Sequence, residues 1–398
     1  MLILKDFLLK IFDAAYMQRW NDKLRPIQFI ELDKQAHKFM IAYLLGKLEE
    51  KTTSIDWTGL IEGFFFEFLQ RLIMTDIKPT ILDKIKKDHG KAKELNDWST
   101  LQIKPIIEPL GTDFCNRYNA YFNLDDNTTI KRIIGAAHIY ASKWEFNIIE
   151  KANPDGYDIH YIGKWFDSRM ENYYDLESVK LIALYKSYRD FIDLCGQLRY
   201  QTRWANLLRF PKTSVLGHSL FVSLTSYIFT MLQNGSTKRC YNNTFTGLFH
   251  DLPEVLTRDI ITPVKNSIAG LSDIIRECES EQMNEIVYPL LPDNIKEEIK
   301  RFTESEFSDY AVVNGVFIDT TSTEINEKYN ADFYDPRDGK LIKSADELSA
   351  YIEAYTAIKN GSITKEFKDA YLKLKNKYDE IGYIGTIDIG QIFKSFEL

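Results

Sequence analysis

The stretch GLFHDLPEVLTRDIITPVK, residues 247–265, holds the residue types that could do chemistry. It sets His250 beside Asp251, puts Glu254 three residues after the pair, and follows with Asp259 and Pro263. An imidazole and a carboxylate side by side offer one borderline and one hard donor, a combination that suits a divalent transition metal. A nearby carboxylate can then move a proton on water held by that metal. A His-Asp dipeptide carries no weight alone, because it arises by chance; its neighbours give it meaning. Upstream stand Arg203 and Trp204, then His218 in TSVLGHSLFVS; downstream, Asp346 lies in LIKSADELSAYIEA.

This ordered set resembles the bacterial HD-domain 5'-deoxynucleotidases, the YfbR-like group, across residues 195–375. The resemblance implies that His218, His250, Asp251 and Asp346 are the four metal ligands. It also implies that Arg203, Trp204, Glu254 and Asp259 stand on the substrate side. In those roles Arg203 clamps a phosphate through paired N–H groups. Glu254 handles a proton at the water or the leaving oxygen, Trp204 walls the sugar against a 2'-hydroxyl, and Asp259 accepts from a sugar hydroxyl. The chain departs from the family at Gly217, where members often carry an acid just before the first histidine. That departure bears on substrate preference more than on metal binding.

A phosphomonoester carries two negative charges near neutrality, and they repel an attacking lone pair. A divalent ion offsets that charge and lowers the pKa of its water. Two neutral imidazoles and two carboxylates balance a 2+ ion and leave room for a phosphate oxygen. Mn, Fe, Co, Ni and Zn all suit such a donor set. The expected activity is phosphate release from (deoxy)nucleoside 5'-monophosphates by activated water, with no covalent enzyme intermediate. A related expectation is triphosphohydrolysis of dNTPs or phosphodiester cleavage, with Arg209, Lys212 and Lys265 as further cations. A third is a nucleotide-binding regulatory protein without turnover.

The elements that must position these residues read as helices. Apolar residues recur at helical spacing in KFMIAYLLGKLEE, TIKRIIGAAHIYASKWEFNIIE, LFVSLTSYIFTML and ADELSAYIEAYTAIK. With 19 glycines and 11 prolines in 398 residues, the fold class is all-α. The exception is YAVVNGVFIDT, whose Asn314-Gly315 between alternating apolar residues signals a hairpin. It falls in the 95 residues between Asp251 and Asp346, so a β insertion is expected at about 308–342, as a lid or an interface.

A formal net charge of −8 argues against a general nucleic-acid binder. Four scattered cysteines without CxxC imply neither a disulfide framework nor a zinc ribbon. MLILKDFLLKIFDAA is broken by charges, so it reads as an amphipathic helix rather than a signal peptide, and no uncharged run reaches a membrane span. A cytoplasmic protein is expected, with a small-molecule nucleotide as its partner and neither membrane nor nucleic acid. The lysine-rich residues 78–93 read as a solvated face, and His89 and His160 as surface residues.

The first half reads as a degenerate copy of the second, dividing the chain into domains at 1–190 and 191–398. Arg19-Trp20 echoes Arg203-Trp204, and His37 echoes His218. GLIEGFFFEFLQRLIMTDIKP echoes GLFHDLPEVLTRDIITP, and IIGAAHIYASKWE echoes LIKSADELSAYIE. In that register Glu62 and Gly63 replace the His-Asp pair and His138 replaces Asp346. His37, Glu62 and His138 would be the remnant of a metal site, with decay into packing the favoured reading. Since the resembled family pairs as homodimers, the expected state is a monomeric pseudo-dimer or a homo-oligomer.

Overall fold

Helix Val215–Leu232 is buried along nearly its whole length, because VLGHSLFVSLTSYIFTML is apolar or small on every face. By length and composition it passes as a membrane span, yet 89% of it lies inside the protein, as in a core helix. Ser214 starts it by accepting the Gly217 N–H at 3.0 Å, so His218 sits in the first turn. The computed structural model of the protein describes residues 4–75, 77–260 and 268–398. Pro263 and Lys265 lie outside the described residues.

Two helices flank that core helix. Thr237–Phe249 runs against it so closely that a Cβ on Gly247 would stand 3.0 Å from the Ser223 backbone. Glycine there sets the separation of the two helices, and His250 follows directly at the C-terminal end. On the other side lies Gly339–Lys359, which carries Asp346. Asp338 caps it by accepting the Leu341 N–H at 3.0 Å. The same carboxylate receives Arg239 at 2.6 Å and the Ser322 hydroxyl at 2.8 Å, and Arg239 and Asp338 are both fully buried. The start of the Asp346 helix is thus bolted to the helix that ends at His250.

The all-α expectation holds: the strands among the described residues form only two-stranded pairs. The hairpin forms as Tyr310–Val313 and Val316–Asp319, with Asn314 and Gly315 at φ 52° and 78°. Both values suit a two-residue turn with left-handed centres. The insertion closes earlier than 342, because the helix resumes at Gly339. Its ends meet there, since a Cβ on Gly339 would fall 2.2 Å from the Phe307 backbone.

In the first half, Glu31–Glu49 lies against Val215–Leu232, and Thr129–Ala152 packs on Glu31–Glu49. Aromatic rings join the halves: Tyr43 packs at an angle to Phe245 and edge-on to Phe249, and Trp57 meets Tyr241. One apolar cluster therefore runs through both. A boundary at 190/191 falls inside helix Lys186–Gln197, so the chain passes between halves along a helix, not a loop. The N-terminal segment is a helix, Lys5–Phe12, that buries Phe7, Leu8, Ile11 and Phe12. The four cysteines are free. His89, His160 and the lysines Lys84, Lys87, Lys91 and Lys93 are exposed, as a solvated face requires.

Replacing Asp338 by Ala removes the cap and leaves Arg239 buried without its partner. Breaking one side of a buried pair costs about 3–5 kcal/mol. The expected outcome is a correspondingly lower midpoint in urea unfolding, together with weakened divalent-metal binding, because the Asp346 helix loses its anchor. A midpoint within about 0.5 kcal/mol of the unmodified chain would contradict this account.

Candidate metal centre

Three elements deliver the donors. His218 comes from the first turn of Val215–Leu232, His250 and Asp251 from the end of Thr237–Phe249, and Asp346 from the second turn of Gly339–Lys359. His218 Nε2 lies 3.0 Å from Asp346 Oδ1 and 3.5 Å from Asp251 Oδ2. His250 Nε2 lies 3.2 Å from the same Asp251 oxygen. The four residues expected from the sequence are therefore gathered at one point. Donor atoms of His218, His250 and Asp346 fall within 4.8 Å of one another.

The orientation of the rings suits a cation. Both Nε2 atoms are buried without a hydrogen bond of acceptable geometry, despite the short distances to carboxylate oxygens. The opposite nitrogens are anchored: His250 Nδ1 at 3.0 Å from the Gly247 carbonyl, His218 Nδ1 at 2.9 Å from Ser349 Oγ. A carbonyl only accepts, so a neutral His250 carries its proton on Nδ1 and turns the Nε2 lone pair inward. Two imidazoles and carboxylates with converging lone pairs fit a divalent transition metal.

Charges in the cluster are strongly coupled. Burial and the nearby Arg203 push the His218 imidazolium down, against the pull of Asp346 and Asp251. Burial also disfavours a charged His250, but Asp251 more than offsets it and raises its pKa. Burial opposes ionisation of Asp251, yet His250 and His218 hold it well below the ordinary range. Asp346 is likewise held down against burial, by Lys343 at 2.7 Å and by His218. The carboxylates stay ionised, as ligands must be.

Glu254 opens the short helix Glu254–Thr257, with Pro253 as its cap, and its N–H bonds the Asp251 carbonyl at 3.1 Å. The helix break after the His-Asp pair is as expected, and the side chain is buried. Gln201, which the sequence reading passed over, clips this turn: its amide donates to the Glu254 carbonyl at 2.6 Å and accepts the Asp259 N–H at 2.9 Å. A glutamine just before Arg-Trp carries no signal by itself.

Arg203 and Trp204 share one anchor, Glu353, which the sequence reading also missed. Arg203 Nε donates to Glu353 Oε2 at 3.1 Å and Trp204 Nε1 to the same oxygen at 2.8 Å. The other oxygen takes the Thr213 hydroxyl and lies 3.6 Å from Arg209 Nη2. Arg203 keeps its terminal nitrogens free of hydrogen bonds to the described residues. Burial would lower its pKa, but Glu353, Asp259, Asp251 and Asp346 raise it instead, which places the guanidinium in the field of the metal-side acids. Arg209 is committed to Glu353, Thr213 and the Pro211 carbonyl, while Lys212 is exposed.

His37 and Glu62 do not join His138. His37 Nε2 contacts the Ile192 carbonyl at 2.8 Å, and its ring sits edge-on to Trp144. Glu62 is bound by Arg117 at 2.9 Å and by the Tyr227 hydroxyl at 2.5 Å. Lys34, three residues before His37 on the same helix, is what meets His138, with 2.8 Å between Nζ and Nδ1. Pairing histidine with histidine picked the wrong helix phase.

Residues 195–375 match the HD domain family. With the cluster above, this makes the second half of the chain an HD-type, metal-dependent phosphohydrolase domain. The same half is similar to a 5'-deoxynucleotidase of Shewanella oneidensis, 27% identical over 184 residues, which are 45% of this chain and 79% of that protein. A 5'-deoxynucleotidase of Pasteurella multocida is 23% identical over 188 residues, 46% of this chain and 82% of the relative. A 4'-phosphooxetanocin A phosphatase of Priestia megaterium is 26% identical over 194 residues, 48% and 83% of the two chains.

Glu353 gives a pH prediction. Burial would raise its carboxyl, but Arg203 and then Arg209 push it down to about 2, from an ordinary 4.5. A folded-state value below the unfolded one stabilises the protein above the unfolded pKa, and that stability is lost as pH falls through the folded value. The shift corresponds to about 3 kcal/mol. Glu353→Gln should lower stability by about that amount at pH 7, with the deficit shrinking between about pH 4.5 and 2. Urea midpoints of both proteins across pH check this; a deficit that stays constant would contradict it.

Proposed function

We propose that the second half removes phosphate from nucleoside 5'-monophosphates, with 2'-deoxy substrates preferred. The observation that carries this reading is a half-buried arginine whose terminal N–H groups make no hydrogen bond to the described residues, in the field of the acids around two inward-facing imidazole lone pairs. That pairing holds a phosphate at one end and a cation at the other. The names of the relatives, two 5'-deoxynucleotidases and a nucleoside-analogue phosphatase, supply the substrate class.

His218, His250, Asp251 and Asp346 would hold the metal, which when bound offsets phosphate charge and acidifies water. Arg203 binds the phosphate through the terminal nitrogens that Glu353 leaves unused, and the fixed Nε contact keeps the fork aimed. Glu254 stands one turn after the ligand pair and moves a proton at the attacking water or the leaving oxygen. Trp204, pinned through its indole N–H, walls the sugar, and Asp259 receives a sugar hydroxyl. Arg209 is turned into Glu353 and so is not available as a further cation for a triphosphate.

The test is phosphate release from a panel of deoxy- and ribonucleoside monophosphates by metal-stripped protein, with Mn, Co, Ni, Zn or Mg added back. Release should need the metal, favour deoxy substrates and vanish in Asp251→Ala. Glu254→Gln should keep metal binding and lose at least about 100-fold in kcat, the share general acid–base catalysis supplies. No release from any monophosphate by folded, metal-loaded protein would refute the reading, and tripolyphosphate from dNTPs would replace it.

A further inference from the structure

One offset carries the first half onto the second. Arg19 and Arg203 are 203 − 19 = 184 positions apart, and the same 184 separates Trp20 from Trp204, Tyr43 from Tyr227 and Gly63 from Gly247. The backbone obeys it. Trp20 and Trp204 both take a left-handed conformation, φ 57° and 56°. Each indole donates to a buried glutamate, Glu145 at 2.9 Å and Glu353 at 2.8 Å, and each arginine Nε bonds the same carboxylate oxygen as its neighbouring indole. Contacts between the halves are reciprocal. Tyr43 lies 5.1 Å from Phe249, as Tyr227 lies 6.4 Å from Phe65. Trp57 meets its own counterpart Tyr241 at 5.1 Å, and a Cβ on Gly217 would touch its counterpart Asp33. Reciprocal contacts of this kind define a two-fold interface. On the helix that carries the buried glutamate in each half, 353 − 145 and 346 − 138 both give 208.

Read at those offsets, His218, His250, Asp251 and Asp346 become Lys34, Phe66, Glu67 and His138, and Glu254 becomes Gln70. Phe66 has no donor atom, and Lys34 Nζ occupies His138 Nδ1 at 2.8 Å. The arginine clamp survives with one change. Where Arg203 has free terminal nitrogens, Arg19 Nη1 donates to Glu31 Oε2 at 2.8 Å. Arg71 Nη2 reaches the same oxygen at 3.2 Å, and Gln35 donates to Oε1 at 2.6 Å. Two guanidiniums and an amide around one buried anion is how proteins hold phosphate. Glu31 corresponds to Val215, so this carboxylate belongs to the first half alone.

We propose that the first half is a second HD copy whose phosphate subsite is filled by its own Glu31, leaving it as a metal-free, built-in dimer partner for the second. Burial works against ionising Glu31, but Arg19, Arg71 and Lys34 keep it ionised, as a resident anion must be. This rests on the reading of Arg203 as a phosphate clamp but not on the identity of the nucleotide, and no turnover assay enters its test.

The experiment compares full-length Arg203→Ala with Arg203→Ala/Glu31→Ala, both free of metal, titrated calorimetrically with inorganic phosphate against chloride at matched ionic strength. The single variant should show no saturable site, and the double variant should gain one per chain. Should Glu31→Ala not fold, Glu31→Val places there the residue type of its counterpart Val215, vacates the carboxylate's position and is read the same way. The unmodified chain loaded with cobalt should hold one ion per chain. Saturable phosphate binding by the single variant, no gain in the double variant, or two ions per chain would each overturn the proposal.

Discussion

A single stripe on helix Gly339–Lys359 sets most of the site. Asp346, Ser349 and Glu353 sit at i, i+3 and i+7, so their side chains project from one face. Asp346 faces the imidazoles, Ser349 fixes the His218 ring and Glu353 holds Arg203 and Trp204. Metal end and phosphate end are therefore spaced by the helical repeat rather than by loops. A rigid spacer suits a reaction in which a phosphate must meet a cation and an arginine at once.

The stripe needs its helix held at the right depth and rotation. Depth comes from the start of the helix, where Asp338 ties the cap to Arg239, and from Gly247, which lets the His250 helix close on the His218 helix. Rotation is fixed because Glu353 is fully surrounded. A buried carboxylate is tolerated only with partners on both oxygens, and here Arg203, Trp204, Thr213 and Arg209 supply them. The hairpin insertion leaves and rejoins beside Phe307 and Gly339, so it adds residues while donor atoms of His250 and Asp346 stay within 4.8 Å.

The candidate ligands were legible in the sequence because their signal is local: His beside Asp, a glutamate three residues later, a helix-breaking proline between them. Asp346 was legible through its Ala-Asp context. Glu353 was not, since a glutamate seven residues along an amphipathic helix reads as solvent-facing; only tertiary packing buries it. Gln201 was hidden for the same reason, as its bonds reach 53 and 58 residues ahead. The all-α class and the Asn-Gly hairpin followed from periodicity and turn chemistry, which do not depend on distant contacts. The internal echo was visible in Arg-Trp, but its register was not. Matching by residue type aligned His37 with His218, and the helix turns that choice three positions away from Lys34.

On the proposal that the first half is a metal-free copy, its ligand types are free to change while its backbone geometry is held, because the neighbouring half still packs against it. Trp20 shares the strained left-handed conformation of Trp204, and Glu145 shares the grip of Glu353, although none of the four candidate ligands has an identical residue at its counterpart position. Both anchoring networks are costly to break, because a buried carboxylate stripped of its arginine is strongly destabilising. Positive φ and buried carboxylate partners are thus better guides to equivalence between the halves than the histidines themselves.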